Sequence, residues 1–310
     1  MSFSIRDCKG VWSAMSTPLN NDKTVDTDAV AKVVEHQIKL GVKGLFIAGT
    51  SGEGPFLPDQ ERMRLVEATV RSVAGRIPIA LQITDNSAER MIENLERYQD
   101  TGIDLVVLAP PFFQCRVTPE YIVDLYTKVI DASTLPVGIY NRGKFSSVLV
   151  EPDTLGKILD HPKVVMVKDS ASQDEYTEAI LAAKKRRNGT LAALCGNEFD
   201  CIKYIRAGYD GLLFGGACFN GAYANEILRL VAAGEYDQAQ ELQLHLNSVM
   251  YKVFGGEKIV CWLAGQKELM RRLGVFNTSA TIINYTVNDE CSRAIDEVIR
   301  DEKKWLIPEA

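Results

Sequence analysis

Residues 164–170 read Val164-Val165-Met166-Val167-Lys168-Asp169-Ser170. Four apolar residues in succession, three of them valine, suit a strand buried on both faces, as a parallel sheet requires. Charge enters only at the C-terminal end of the run. Seven further short apolar runs flank it, at 11–15, 44–48, 77–83, 105–109, 135–140, 191–195 and 211–214. Amphipathic stretches lie between them. The first starts at a Thr27/Asp28 cap, runs through Val30, Val33, Val34 and Ile38 at helical spacing and stops at Gly41. Similar patterns follow at 59–73, 87–101, 118–131, 152–159, 172–187, 197–206 and 222–232. Eight strand–helix units are the number that closes an α/β (β/α)8 TIM barrel. A doubly wound open sheet is the alternative, since a pattern reading can miscount a strand.

Simple division of the 310 residues suggests two domains at roughly 150 residues each. The strand count replaces that with a barrel over 1–232 and a C-terminal helical extension over 233–310. In the extension, 235–253 and 257–273 read as helices. Cys291, Ala294, Ile295, Val298 and Ile299 form the apolar stripe of one more. No Pro/Gly/Ser-rich linker separates the two parts, so the extension is expected to pack on the barrel rather than hang from it.

Apolar residues make up 46% and charged residues 25% of the chain, as in an ordinary globular protein. With 35 Lys and Arg against 41 Asp and Glu, the net charge is −6, and no nucleic-acid partner is expected. The first ten residues hold no signal-peptide core. The longest apolar candidate, 105–113, is too short for a membrane span and contains two prolines. A cytoplasmic location with no membrane partner is expected. Seven cysteines, at 8, 115, 195, 201, 218, 261 and 291, include no CxxC pair, and read as reduced core residues. His36, on the polar side of its helical pattern, His161 before Pro162, and His245 are the only histidines. None has a neighbouring ligand cluster, so neither a metal nor a histidine base is expected.

In such a barrel, chemistry sits at the C-terminal strand ends. Lys168 ends its strand at the mouth, where desolvation would lower an amine's pKa and make it nucleophilic toward a ketone. The alternative is a lysine that snorkels into water. Tyr140 ends the preceding strand, either as a proton relay or as a packed rim tyrosine. The loop Gly49-Thr50-Ser51-Gly52-Glu53-Gly54 offers two hydroxyls and backbone N–H groups to a carboxylate. A phosphate loop and a plain turn are the competing readings.

These motifs, with Tyr140-Asn141 and with Lys168 lying 28 positions after the tyrosine, resemble the dihydrodipicolinate synthase / N-acetylneuraminate lyase superfamily of pyruvate-dependent class I aldolases. The resemblance covers nearly the whole chain, extension included. It implies that Lys168 forms a Schiff base with a 2-keto acid and that Tyr140 shuttles the proton of the substrate's 4-oxygen. It implies that Thr50 and Ser51, beside Gly49, hold the pyruvyl carboxylate, and that Thr50 also touches Tyr140. Such chemistry needs no cofactor and no metal. The resemblance also implies a homo-oligomer, a tetramer or dimer, and the apolar Phe112-Phe113 pair is compatible with an interface.

Departures point to a branch. Phe145 stands where the synthase branch carries the arginine that reads the carboxylate of its aldehyde substrate, and a phenyl ring cannot make that contact. Arg142 or Lys144 could substitute from a neighbouring position. Pro110-Pro111-Phe112-Phe113 lacks the tyrosine that the synthase branch lends across an interface. By resemblance to sugar-acid aldolases, Glu198 would accept hydrogen bonds from a polyol chain, unless it is a helix-start carboxylate placed for the dipole. Ser170 adds a substrate-binding hydroxyl, and Gly216 would leave room for substrate or let the backbone approach it. The resulting expectation is an aldolase of a 2-keto-3-deoxy sugar acid with pyruvate as one partner. The alternatives are a dehydratase of such an acid using the same lysine, 4-hydroxy-tetrahydrodipicolinate synthase, and a barrel that binds keto acids without chemistry.

Overall fold

The computed structural model describes residues 3–114 and 117–308. Eight strands follow one another in chain order: β1 (Gly10–Ala14), β2 (Gly44–Ile47), β3 (Ile79–Gln82), β4 (Leu105–Leu108), β5 (Val137–Asn141), β6 (Val164–Asp169), β7 (Ala192–Cys195) and β8 (Gly211–Phe214). Each pairs in parallel with the next, and β8 closes on β1, giving a (β/α)8 barrel. The helices α1 (Thr27–Lys39), α2 (Asp59–Val73), α3 (Ala88–Tyr98), α4 (Pro119–Ala132), α5 (Pro152–Leu159), α6 (Asp174–Arg186), α7 (Cys201–Ala207) and α8 (Ala217–Ala232) form the outer layer. After them come α9 (Tyr236–Phe254), α10 (Trp262–Arg272), α11 (Asp289–Asp301) and the short α12 (Lys303–Leu306).

The apolar strands divide their side chains by alternation. Trp12, Phe46, Val107, Met166, Leu194 and Leu213 fill the barrel interior. Val11, Ile47, Val106, Val167 and Ala193, one residue away in each strand, pack outward against the helices. The period fixes the direction of the strand ends. Met166 points inward, so Lys168 does too, and Asp169 points out. In the β5–β6 register Tyr140 lies beside Lys168, and Asn141 beside Asp169.

Helix boundaries depart from the sequence pattern where side chains cap or where apolar residues serve another element. Asp26, one residue before the expected cap, accepts the Ala29 N–H at the start of α1. Pro78 delays β3 to Ile79. Helix α8 begins five residues before the expected 222, because Ala217, Cys218 and Phe219 are helical core residues. Helix α7 begins only at Cys201, leaving residues 196–200 as a strand-end loop. Helix α10 begins only at Trp262, after a turn at 255–259.

His36 also departs from expectation. Its side chain is buried rather than on the polar face of α1. Burial, reinforced by the Lys39 charge, pushes its imidazole down to about 4. Cys8, Cys195, Cys201, Cys218, Cys261 and Cys291 are buried free thiols, while Cys115 lies outside the described residues. Helix α12 brings Trp305 into a stack on Tyr223 of α8, with ring centroids 4.4 Å apart. Among the described residues no helix is long and apolar enough to cross a membrane.

Candidate active site

At the C-terminal ends of the strands lies a cavity of about 780 Å³. Its polar lining comprises Thr50, Glu53, Gln82, Tyr140, Arg142, Ser170, Ser172, Asn197, Glu198 and Tyr285. Tyr140 and Lys168 reach this end side by side because both are inward positions at the ends of paired strands. The Lys168 Nζ lies 4.2 Å from the centroid of the Tyr140 ring and 5.2 Å from that of Phe46. Lys168 is 5% exposed and is not itself a lining residue: its amine lies against the Tyr140 ring. Among the described residues no carboxylate comes within ion-pair distance of it. Asp169, its neighbour in sequence, is spent on the other side of the strand. There it accepts hydrogen bonds from Asn141, Ala171 and the Tyr209 hydroxyl.

Burial alone would raise the Tyr140 phenol. The Lys168 charge, Arg142 and hydrogen bonding with the Thr50 and Ser170 hydroxyls outweigh it, and the net shift is downward. A phenol poised in this way can both take and return a proton.

The loop after β2 turns back on itself tightly. A Cβ at Gly54 would overlap the Ala48 carbonyl, so only glycine lets the two backbone segments meet. The loop is held by the Glu53 N–H to the Thr50 carbonyl (3.1 Å), the Gly54 N–H to the Gly49 carbonyl (3.2 Å) and the Thr17 hydroxyl to the Gly52 carbonyl (2.6 Å). Among the described residues the N–H groups of Thr50, Ser51 and Gly52 find no acceptor within the chain. Thr50 lines the cavity, whereas Ser51 is buried just behind it, its hydroxyl against Gly215. Gly49 is buried over the Phe46 ring.

Glu198 lies on the cavity wall, but it serves a different helix from the one the sequence suggested. Its carboxylate accepts the Gly216 N–H at 2.9 Å, at the start of α8 rather than α7. Burial raises it to about 7, against the opposing pull of that N–H, the Lys168 charge and Asn220. The room left by the missing side chain of Gly216 is taken by this carboxylate.

Arg142 lines the wall, whereas Lys144 is exposed and directed at the Phe145 ring, outside the lining. Phe145 stands at the mouth. None of the three histidines reaches the cavity, and among the described residues no His/Cys/Asp/Glu cluster forms a metal site.

Several lining residues escaped the sequence reading. Gln82 is buried, and its Oε1 has no partner; its signal was an amide inside an otherwise apolar strand. Trp262 and Leu263 of α10, with Ile283 and Tyr285 beyond it, bring the C-terminal segment into the wall. On the same helix the fully buried Lys267 pairs with Glu53 of the β2 loop. Its signal was a charge on the apolar stripe of Leu263, Ala264 and Met270.

The sequence model of the Dihydrodipicolinate synthetase family matches residues 7–290. A 4-hydroxy-tetrahydrodipicolinate synthase of Stenotrophomonas maltophilia (strain R551-3) is 29% identical over 268 residues, spanning 86% of this chain and 87% of its own length. Dihydrodipicolinate synthase from Thermotoga maritima superimposes with a TM-score of 0.85 at 21% identity, over 95% of this chain and 98% of its own. A prophage protein of E. coli K12 from the dihydrodipicolinic acid synthase family, solved in complex with pyruvate, gives 0.84 at 20% identity, over 95% and 98%. At these identities the two solved structures speak for the fold alone.

Proposed function

This chain belongs to the dihydrodipicolinate synthetase family, and on that footing we propose that it cleaves a 2-keto-3-deoxy sugar acid to pyruvate and an aldehyde, or runs the condensation in reverse. It is a class I, pyruvate-dependent lyase, as the family's members are. The observation that carries the residue assignment is the juxtaposition of Lys168 and Tyr140 beside a loop whose N–H groups are free.

In this reading the Lys168 amine adds to the C2 carbonyl of the keto acid, and loss of water leaves an iminium. Tyr140 takes the proton of the 4-hydroxyl as the C3–C4 bond breaks. The electron pair of that bond passes into the iminium to give an enamine, and the aldehyde departs. Protonation at C3 and addition of water then release pyruvate and the free amine. Thr50, Ser51 and the loop N–H groups hold the carboxylate throughout, and Ser170 supports the Tyr140 phenol. The amine reaches the carbonyl by a swing of its flexible stem past the Tyr140 ring. Asn197, Glu198 and Ser172 supply the polar wall that supports a hydroxylated chain beyond C4.

A second reading, 4-hydroxy-tetrahydrodipicolinate synthase, is favoured by Arg142 on the cavity wall and by the names of the curated relatives. A third, dehydration of the same acid, draws on Glu198. A carboxyl that titrates near 7 can protonate a departing hydroxyl at neutral pH.

Borohydride reduction in the presence of pyruvate tests the chemistry: a covalent pyruvyl adduct is expected on Lys168. No adduct, or an equal one in Lys168→Ala, sinks the mechanism. Product analysis on a keto-deoxy acid panel separates the readings. Pyruvate release supports cleavage, 2-ketoglutarate semialdehyde supports dehydration, and consumption of pyruvate only with a carboxylate-bearing aldehyde supports the synthase.

A further inference from the structure

The β2 loop is fastened from outside the barrel. Glu53, in the middle of the loop, adopts a left-handed backbone with φ of 55°, a conformation that is costly for a residue with a side chain. Its carboxylate is 1% exposed and bound from two sides by the segment that follows the barrel. One oxygen pairs with the ammonium of Lys267 on α10, and the other accepts the Ile282 N–H at 2.6 Å. Lys267, completely buried, also donates to the Ala280 carbonyl at 2.8 Å. Next to it on α10, Gln266 donates to the Ser16 hydroxyl at 2.7 Å and to the Gly215 carbonyl at 3.1 Å, at the ends of β1 and β8. The same α10 and 280–285 segment presents Trp262, Leu263, Ile283 and Tyr285 to the cavity.

An ion pair this dry is a poor device for stability alone. The cost of taking two charges out of water roughly cancels their attraction, and an apolar pair of similar volume does as well. What the pair offers instead is direction. It holds one residue of the loop in an unfavourable backbone conformation, three positions from Thr50, and ties that residue to the wall opposite.

We propose that Glu53 and Lys267 are positioning residues: their buried ion pair sets the orientation of the Thr50–Gly52 N–H groups and couples pyruvate binding to the docking of the C-terminal segment. Neither side chain is required to touch the reacting atoms. The effect falls on how well the keto acid is held, because a loop displaced by a fraction of an ångström presents its donors off-line to the carboxylate. The proposal rests on assigning the loop to the pyruvyl carboxylate, and its test is chosen to separate the two.

The pyruvate concentration that gives half-maximal borohydride-trapped adduct reads this holding directly, without knowledge of the second substrate. Glu53→Gln and Lys267→Met each leave one buried group without its partner, so both are expected to be destabilised. The double variant Glu53→Gln/Lys267→Met removes both charges and should fold. In that double variant the half-saturating pyruvate concentration is expected to rise tenfold or more, with the final extent of adduct on Lys168 unchanged. Lys184→Met, which breaks the Lys184–Asp210 pair elsewhere in the chain, is the control: it should lower the melting temperature and leave half-saturation where it was. A folded double variant with wild-type half-saturation overturns the positioning role, as does an equal rise in the Lys184→Met control. A wild-type protein that traps no pyruvate at all would instead remove the Schiff-base reading, and with it the assignment of the loop to the pyruvyl carboxylate.

Discussion

Lys168 and Lys267 are both buried, at 5% and 0% exposed, and the molecule treats them in opposite ways. Lys267 meets a carboxylate and a carbonyl oxygen, so its charge is answered on two sides. Even so, burial outweighs Glu53 and draws the ammonium downward. Lys168 meets two aromatic rings and no carboxylate at ion-pair distance among the described residues. A ring face attracts a cation by only roughly 0.5–2 kcal/mol, and leaves the nitrogen without a permanent partner. A buried lysine with its partner in place is architecture. One without a partner is available for a covalent bond, at some cost to stability, as is usual for functional groups.

Replacing each lysine by methionine gives the sharpest test of that contrast. Lys168→Met should lower turnover on the order of 10⁴-fold, as the loss of a covalent nucleophile does, while leaving resistance to urea unchanged or slightly improved. Lys267→Met strands Glu53 in a dry site and should cost about 3–5 kcal/mol of stability, yet still form the adduct at high pyruvate. Urea unfolding and adduct mass together read both outcomes. If the two variants lose stability equally, the distinction between them is wrong.

The same contrast explains what was legible in the sequence. The strands were legible because burial on both faces writes itself as an unbroken apolar run, and Lys168 stood out as the charge that ends one. Tyr140 and the β2 loop were legible for the same reason: strand ends are local features, and their order along the chain places them together. Lys267 showed in the sequence only as a charge on an apolar helix stripe; its partner lies 214 positions away, and no local pattern signals a pairing over that distance. The apolar wall from α10 and 280–285 was missed on the same ground. Glu198 reads in the sequence either as a polyol-binding residue or as a helix-start carboxylate, but the helix it serves comes from the next strand–helix unit, which only the closed barrel brings alongside. His36 failed for a simpler reason: the pattern read one face of α1 as solvent, whereas the buried set of that helix includes His36 and Gln37.

Glu198 offers a second, smaller test, because it is a half-buried acid that faces the charge of Lys168 without pairing with it. Folding raises it from 4.5 to about 7, burial being the main cause. Between those values the folded chain holds a proton that the unfolded chain has released, so stability falls as pH rises. The contribution is complete below about 4.5 and is lost as pH climbs through about 7. It amounts to roughly 3 kcal/mol at most, and less to the extent that the carboxyl is open to the cavity. Melting temperature should therefore decline between pH 5 and 8, and Glu198→Gln should flatten that decline. A variant whose profile keeps the wild-type slope would mean that other groups carry the titration.

Arg142 gives the smallest effect and bears on substrate rather than on the amine. Its guanidinium lines the cavity, and among the described residues it has no acidic partner. It is thus a second unanswered cation after Lys168, set in the cavity wall rather than behind the Tyr140 ring, and the group it could answer is an anion on the substrate. A charge-assisted hydrogen bond of this kind is worth about 1.5–3 kcal/mol, but only if the substrate carries a carboxylate at that distance. For an aldehyde half without one, Arg142→Ala should change kcat/KM less than about threefold, the wall losing little but a side chain. For a carboxylate-bearing aldehyde the same substitution should cost about tenfold or more, chiefly in KM. Running both substrates against one variant therefore separates the sugar-acid reading from the synthase reading. The phenyl ring of Phe145 at the mouth cannot replace the lost contact in either case.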